Sequence, residues 1–296
     1  MNKVLVTGSE GFLGRSLVPE LVLNGFEVHT LDVIPRKTSV PSSKHFQLDL
    51  SGHEVLNGLK KFKFDTIFHL AAQSSVLESI KNPISDLLSN IKGTVALLDL
   101  LTELEVGRFI YAQSGGAIYK STDLLPISED FELGPQSPYG LSKLAAEMYI
   151  KLICESKGIP WVSLAFSNIY GPVKENPKGV LFEFYRNLSN STDVYINGPE
   201  NTRDFLYVTD AVSALVLAAS KGFNQRINIS TGKETSLIQL FNEVRIAMGI
   251  VDSKPIISDA ISGEVKKSSL DNSMAREIIG WVPKVGIKEG VQRSIS

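Results

Sequence analysis

Short apolar runs and longer amphipathic stretches alternate along the first half of the chain. Val4–Thr7, Phe26–Leu31, His45–Leu48, Thr66–Leu70 and Arg108–Ala112 read as strands, each a compact apolar run of the kind buried in parallel sheets. Between them Gly11–Asn24, Gly52–Lys61 and Ile84–Leu104 carry helical periodicity. In the last, Leu87, Leu88, Ile91, Val95, Leu98 and Leu101 fall on one apolar face. A long helix is expected over Pro138–Ser156, opened by a proline that a first helical turn tolerates, and a further strand over Trp161–Phe166. Alternation of this length predicts an α/β fold, a doubly wound parallel sheet with right-handed crossovers.

Beyond about residue 170 the alternation loosens. Lys174–Lys178 is polar and holds a proline. Val180–Leu188 reads as a helix, Val194–Ile196 as a short strand, Val208–Ala219 as a helix and Arg226–Ile229 as a strand. Ser236–Met248 reads as a helix with Ser236 as its N-cap. The expected division is a sheet-forming domain over residues 1–170 and a smaller, partly interleaved C-terminal lobe over 171–296.

Composition narrows the chemistry by exclusion. At 296 residues the chain can bury roughly three quarters of its unfolded surface without covalent staples. A single cysteine, Cys154, excludes an internal disulfide framework and a multi-cysteine metal site. Lys and Arg total 30 against 32 Asp and Glu, and no dense basic run appears, so neither nucleic-acid nor membrane binding is expected. No apolar stretch approaches the ~20 residues of a membrane span, and the first residues read as a strand, so a cytoplasmic location is expected.

Val4–Thr7 runs into Gly8-Ser9-Glu10-Gly11-Phe12-Leu13-Gly14, and a helix follows at once. Three such glycines suit a strand-to-helix turn: one lets the chain turn, one lets the backbone approach a pyrophosphate, one lets helix and strand pack closely. The helix N-terminus then offers free N–H groups and the positive end of its dipole to phosphates. Asp32 closes the second strand 18 residues after Gly14. A carboxylate there accepts hydrogen bonds from both adenosine ribose hydroxyls and repels a 2′-phosphate, which favours NAD over NADP. Arg36 lies close enough in sequence to soften that preference. Asp49, followed by Leu50, either reaches the adenine amino group or caps a helix.

Tyr139 and Lys143 sit four apart, on one face of a predicted helix. A tyrosine acting as a base near neutral pH needs its pKa lowered from ~10, which a neighbouring ammonium or an oxidised nicotinamide accomplishes by stabilising phenolate. Alone, Tyr-x-x-x-Lys is a common exposed-helix pattern; downstream of a dinucleotide turn it reads as a catalytic pair.

Together with TGSEGFLG at Thr7–Gly14 and YGLSK at Tyr139–Lys143, further segments match in order. They are HLAA at His69–Ala72, Asn90 with Gly93-Thr94, SNIYGP at Ser167–Pro172, RDFLYV at Arg203–Val208, NISTG at Asn228–Gly232 and Gly280-Trp281 followed by Pro283. From residue 3 to about 290 the chain resembles the extended short-chain dehydrogenase/reductase family, in its nucleotide-sugar epimerase and dehydratase branch. The resemblance implies a Rossmann-like domain holding NAD and a smaller lobe holding a nucleoside diphosphate sugar. It places NAD against Gly8, Gly11, Phe12, Leu13, Gly14, Asp32, Asp49, Leu50, Leu70, Ala71, Ala72, Asn90, Tyr139 and Lys143. It also implies homodimers through a four-helix bundle, here built from the helices over 84–104 and 138–156.

The family's third catalytic group is a hydroxyl just past the fifth strand. Anchoring on Phe109–Gln113 puts Ser114 there; counting back from Tyr119 puts Gly115 there, and the second glycine of the pair reads as a one-residue insertion taking unusual backbone angles. Ser114 is the expected group. In the family's dehydratases an Asp-Glu pair follows that hydroxyl; Gly115 and Gly116 stand here, which disfavours elimination of water. Two customary arginines are replaced, by Ala165 and within Ile261–Glu264. Arg203 remains as the expected diphosphate ligand and Asn168 as the substrate-contacting asparagine. His29, His45, His53 and His69 have no metal-binding spacing, and His69 reads as a packed core residue.

Three functions fit these residues. A nucleotide-sugar 4-epimerase would oxidise C4 transiently with tightly bound NAD, a 4-ketoreductase would use the same residues for a net reduction, and a non-catalytic relative would only bind the dinucleotide. Tyr139 and Lys143 argue for an enzyme, and Asp32 for the epimerase.

Overall fold

The computed structural model describes residues 2–36, 42–52, 58–259 and 266–296. Strand β1 (Lys3–Thr7) is buried over its last four residues, as an apolar run in the middle of a sheet should be, and leads into α1 (Phe12–Leu23). Gly14, Leu17, Val18 and Leu21 give α1 its inward face, at spacings of three and four. Then come β2 (Glu27–Asp32), β3 (Lys44–Gln47) and β4 (Thr66–His69). The helix expected over 52–61 falls largely on residues 53–57, outside the described residues, and 58–61 form a tight turn.

After β4 the single helix expected over 84–104 is broken. A separate α2 (Val76–Lys81) precedes it, and the segment itself is α3 (Pro83–Leu87), one π turn over Leu88–Lys92 and α4 (Gly93–Asp99), with turns beyond. A π turn admits one extra residue, which rotates the following apolar positions and ends the uniform 3.6 spacing. Strand β5 (Phe109–Ser114) is followed by the short α5 (Gly115–Ile118), then by α6 (Pro138–Lys157) and β6 (Trp161–Phe166). The side chain of Ser137 caps α6 by accepting from Gly140 N–H (3.0 Å), and Gly158 ends it in the left-handed region at φ 65°.

The remaining chain supplies β7 (Asn168–Tyr170), α7 (Gly179–Ser189), β8 (Tyr195–Asn197), β9 (Thr202–Arg203), β10 (Phe205–Tyr207) and α8 (Val208–Ala218). It ends with β11 (Gln225–Ile229), β12 (Thr235–Ser236), α9 (Leu237–Ala247), β13 (Ile256–Ser258) and α10 (Ile287–Ile295). Ser236 caps α9 in a full capping box with Gln239.

Seven strands form one parallel sheet in the order β11-β6-β5-β4-β1-β2-β3. Two apolar layers cover its faces, one holding Leu17, Leu21 and Leu215, the other Leu97, Ile150 and Cys154. This is the doubly wound Rossmann-like arrangement. Strand β11 joins the sheet from beyond residue 170, so the chain crosses between sheet and lobe. The order reverses between β1 and β4, where crossovers leave to opposite sides and open a crevice.

The lobe is tied to the sheet through buried carboxylates. Asp204 accepts from Ser167 Oγ (3.2 Å), Thr231 N (2.9 Å) and Oγ1 (2.7 Å), Gly232 N (3.0 Å) and Ser269 Oγ (3.4 Å). Asp210 accepts from the backbone N–H groups of Lys284 and Val285, while the Trp281 indole donates to the Asp210 carbonyl (3.0 Å). Asp204→Ala should cost on the order of 3 kcal/mol in a urea melt, because it strands buried donors. A loss below half that would mean that water replaces the carboxylate.

Candidate active site

The C-terminal ends of the central strands open into one cleft of about 1490 Å³. A pocket for one drug-sized ligand spans roughly 300–1,000 Å³, so this cleft has room for two ligands side by side.

One end is built by the glycine turn. Gly8 takes φ +70°, and a Cβ there would lie 2.7 Å from the Ala71 amide nitrogen. At Gly14 a Cβ would lie 2.3 Å from the Gly8 carbonyl oxygen, so α1 packs directly on the turn. Gly11 is exposed at the N-cap of α1, where no side chain caps the helix and no acidic residue enters the first turn. Gly11 N–H is spent on the Gly8 carbonyl (3.1 Å), and Phe12, Leu13 and Gly14 at the uncapped helix start border the cleft, a ready cradle for a diphosphate. Asp32 lines the same wall, held by Glu10 N–H on Oδ2 (2.8 Å) and Ile34 N–H on Oδ1 (3.2 Å), with lone pairs left for ribose hydroxyls. Arg36 is not among the lining residues. Asp49, Leu50, Leu70, Ala71 and Ala72 complete this end. Asp49 Oδ1 also accepts from the backbone N–H and hydroxyl of Ser51, so it caps its own turn. These residues fit a dinucleotide: a cradle free of side chains, an uncapped helix end and a carboxylate beside it.

Asn90 departs from its expected place. It is 1 % exposed and does not line the cleft. Its Oδ1 accepts from Gln73 N–H (2.8 Å), and its Nδ2 donates to the Gln73 carbonyl, Asp86 Oδ1 and Ser142 Oγ. Sitting in the π turn, it binds the loop after β4 to α6 and spends its amide within the protein.

At the centre, Ser114, Tyr139 and Lys143 come together from β5 and α6 and all border the cleft. Their approach needs Gly140, where a Cβ would lie 2.2 Å from the Ala117 carbonyl oxygen. The Tyr139 backbone is pinned twice, its N–H donating to Ser79 Oγ (3.1 Å) and its carbonyl accepting from Ser142 Oγ (3.0 Å). Burial holds the Tyr139 phenol above its ordinary pKa, against the hydrogen bond with Ser114, and nearby Asp86 adds to the rise. Lys143 Nζ donates to the Ala112 carbonyl (2.7 Å) and lies 3.9 Å from the centre of the Tyr111 ring. Burial lowers its pKa to about 7, opposed by Glu147 and Asp86. At Tyr139 burial therefore outweighs the Ser114 hydrogen bond, and the lowering expected from Lys143 does not appear.

Gly115 and Gly116 also differ from expectation. Neither takes a positive φ; they open the α5 turn. Gly115 is tightly enclosed, since a Cβ would lie 2.4 Å from Leu270 Cδ1 and 3.1 Å from the Ala165 carbonyl oxygen. No carboxylate stands at either position. His69 is buried between the hydroxyls of Thr7 (2.8 Å) and Thr94 (2.9 Å), and burial lowers its pKa to about 3. It is a neutral core residue.

The far end of the cleft is lined by Asn168, Arg203, Phe205, Lys267, Ser268 and the first turn of α7 with Lys178. Arg203 Nη1 donates to the Thr202 carbonyl (2.8 Å), and Thr202 N–H in turn bonds the Lys266 carbonyl (2.8 Å). That hydrogen bond holds the segment with Lys266 and Lys267 alongside β9. Ile261–Glu264, where a customary arginine is missing, lies outside the described residues. Sequence spacing missed Gln113, Glu147 and Arg226, which are linked by hydrogen bonds behind Ser114 and Lys143. Of these only Glu147, one helical turn after Lys143, carried a local signal.

The model of the NAD dependent epimerase/dehydratase family matches residues 4–230, and the chain belongs to that family. The crystal structure of UDP-glucose 4-epimerase from Thermotoga maritima, determined with UDP-glucose, is 34% identical with a TM-score of 0.93, covering 99% of this chain and 97% of that one. The Thermus thermophilus UDP-glucose 4-epimerase, solved with NAD, is 31% identical with a TM-score of 0.88, at 99% and 97% coverage. A dTDP-4-dehydro-6-deoxyglucose reductase of Escherichia coli is 30% identical over 312 residues, 99% of this chain and 96% of the relative. The chain is an NAD-dependent enzyme of the extended short-chain dehydrogenase/reductase type. Among the described residues no helix is long and apolar enough to cross a membrane.

A lysine held near pKa 7 when folded, against 10.5 when unfolded, leaves the unfolded chain binding more protons between those values. Stability from this group therefore rises with pH across that window. Cofactor-free Lys143→Met should be more stable than wild type at pH 7 by on the order of a few kcal/mol, and the gap should close toward pH 10. Urea melts at the two pH values measure it; a gap independent of pH would refute the lowered pKa.

Proposed function

We propose that the enzyme is a nucleotide-sugar 4-epimerase. The observation that carries this reading is one cleft with three parts in line: the dinucleotide cradle, the Ser114–Tyr139–Lys143 group, and a far end with Arg203 and Asn168. When bound, NAD takes up a hydride from sugar C4 and returns it. Tyr139 removes the proton of the 4-hydroxyl and later gives it back. Ser114 donates a hydrogen bond to O4 as negative charge develops there. Lys143 orients the nicotinamide ribose. Arg203 grips the sugar diphosphate, and Asn168 contacts the sugar nucleotide. With glycine at 115 and 116, no acid stands ready to expel a hydroxyl, so elimination is disfavoured. Asp32 matches tightly held NAD better than a consumed NADPH, which favours epimerisation over net ketoreduction.

The same reading gives the enzyme a second copy of itself as partner. Ile80, Ile84, Leu87 and Leu88 are exposed beside Leu141, Met148, Tyr149 and Leu152 of α6, and the helices that carry them pack together. An apolar face of this extent calls for a cover, and a twofold four-helix bundle supplies one.

Purified protein should carry NAD and interconvert UDP-glucose and UDP-galactose without added cofactor. Stoichiometric NAD(P)H consumption on a nucleotide-linked 4-keto sugar would replace the epimerase with a ketoreductase. Tyr139→Phe should abolish turnover and retain NAD; near-wild-type activity in that variant would sink the mechanism. Met148→Glu with Leu152→Glu should turn a dimer into a monomer in light scattering, and an unchanged mass would exclude the bundle.

A further inference from the structure

Ser114 and Tyr139 come from different elements, the end of β5 and the start of α6, and nothing covalent sets their separation. Behind them, Gln113 is 3 % exposed and has its side-chain amide engaged at both ends. Nε2 donates to the Lys143 carbonyl (3.0 Å) and to Glu147 Oε2 (3.0 Å), while Oε1 accepts from the N–H of Ser114 (2.9 Å). One amide therefore joins the backbone of the catalytic serine to the turn of α6 that bears the catalytic lysine.

A primary amide can sit either way round unless its neighbours decide. Here they do. The Lys143 carbonyl and the Glu147 carboxylate accept only, so the NH₂ end must face them and the oxygen must face Ser114 N–H. Glu147 is itself immobilised. It accepts from Ser163 Oγ (2.6 Å) and is forked by Arg226, whose Nε lies 3.0 and 3.2 Å from its two oxygens. Arg226 reaches in from β11 and lies 5.6 Å from the centre of the Tyr119 ring, whose hydroxyl donates to Asn228 Oδ1 (2.8 Å). Four elements, β5, α6, β6 and β11, thus converge on one amide.

We propose that Gln113, oriented by the buried Glu147–Arg226 ion pair, is a positioning residue that sets the spacing between Ser114 and Tyr139. Stability alone does not call for such a network. A buried ion pair replaced by well-packed apolar groups often leaves a protein equally or more stable, so the polar identity points to geometry. The inference rests on the catalytic roles proposed above for Ser114 and Tyr139.

The test uses the NAD-bound enzyme with UDP-glucose as substrate. Gln113→Leu should lower kcat on the order of 100-fold, since a misplacement near 1 Å carries about that cost. KM and NAD retention should stay within about twofold, because Gln113 meets only the backbone carbonyl of Lys143 and leaves its ammonium in place. A shifted melting temperature with unchanged kcat would show a structural role only and overturn the proposal. Should Gln113→Leu fail to fold, the double variant Glu147→Leu with Arg226→Met removes both charges and frees the amide to turn. The same loss of kcat is expected there, and wild-type kcat overturns the proposal. If the wild-type enzyme does not act on UDP-glucose, the proposed substrate is wrong, yet the clamp is still decided. Crystal structures of wild type and Gln113→Leu should then differ in the Ser114 Oγ to Tyr139 Oη separation by on the order of 1 Å. An equal separation overturns the proposal.

Discussion

The backbone of Gly8 touches the backbone of Leu70 and Ala71, with no room between them for a side chain. This contact, at the point where β1 and β4 send their crossovers to opposite sides, fixes the floor of the cleft. Because Gly14 in turn packs on the Gly8 carbonyl, the uncapped start of α1 is held over the sheet edge with its N–H groups facing outward. A methyl group at either glycine would lift helix from strand and remove the cradle. Ser114, at the end of β5, and α6 are then arranged along the same edge.

Charge is handled locally throughout. A net charge of −2 supplies no field to draw in two anionic ligands, so helix ends and single side chains must do so. The interior follows the same rule in reverse: Asp204, Asp210 and Glu147 are buried but surrounded by donors from distant segments. Each carboxylate joins parts of the chain that apolar packing alone would leave free to slide. Glu147 does this on α6, one turn beyond Lys143, and Asp204 does it where the lobe meets the sheet.

Legibility in the sequence followed the range of the interaction. The glycine turn, the capping serine of α9 and the four-residue spacing of Tyr139 and Lys143 are local patterns, and each is present in the structure. Asn90 was legible as a motif residue, but not that its amide would be consumed by Gln73, Asp86 and Ser142. Gly116 was legible as an insertion with unusual backbone angles, but neither glycine takes a positive φ, and the tight position is Gly115, where Leu270 and the Ala165 carbonyl approach from distant segments. The π turn over Leu88–Lys92 was not legible, because apolar residues three and four apart stand on both sides of it and the change of phase between the two runs shows only in the structure.

By itself the sequence determined the alternation of strand and helix, the dinucleotide turn and the residue types able to move a proton and a hydride. Those depend on periodicity and on neighbours a few residues apart. Only the tertiary structure decided that burial, not Lys143, governs the Tyr139 phenol, and that Gln113 links Ser114 to α6 through a carboxylate paired with Arg226. Desolvation and hydrogen-bond direction are properties of what surrounds a group. In this enzyme the surroundings are assembled from β5, α6, β6 and β11, which meet only when the sheet closes.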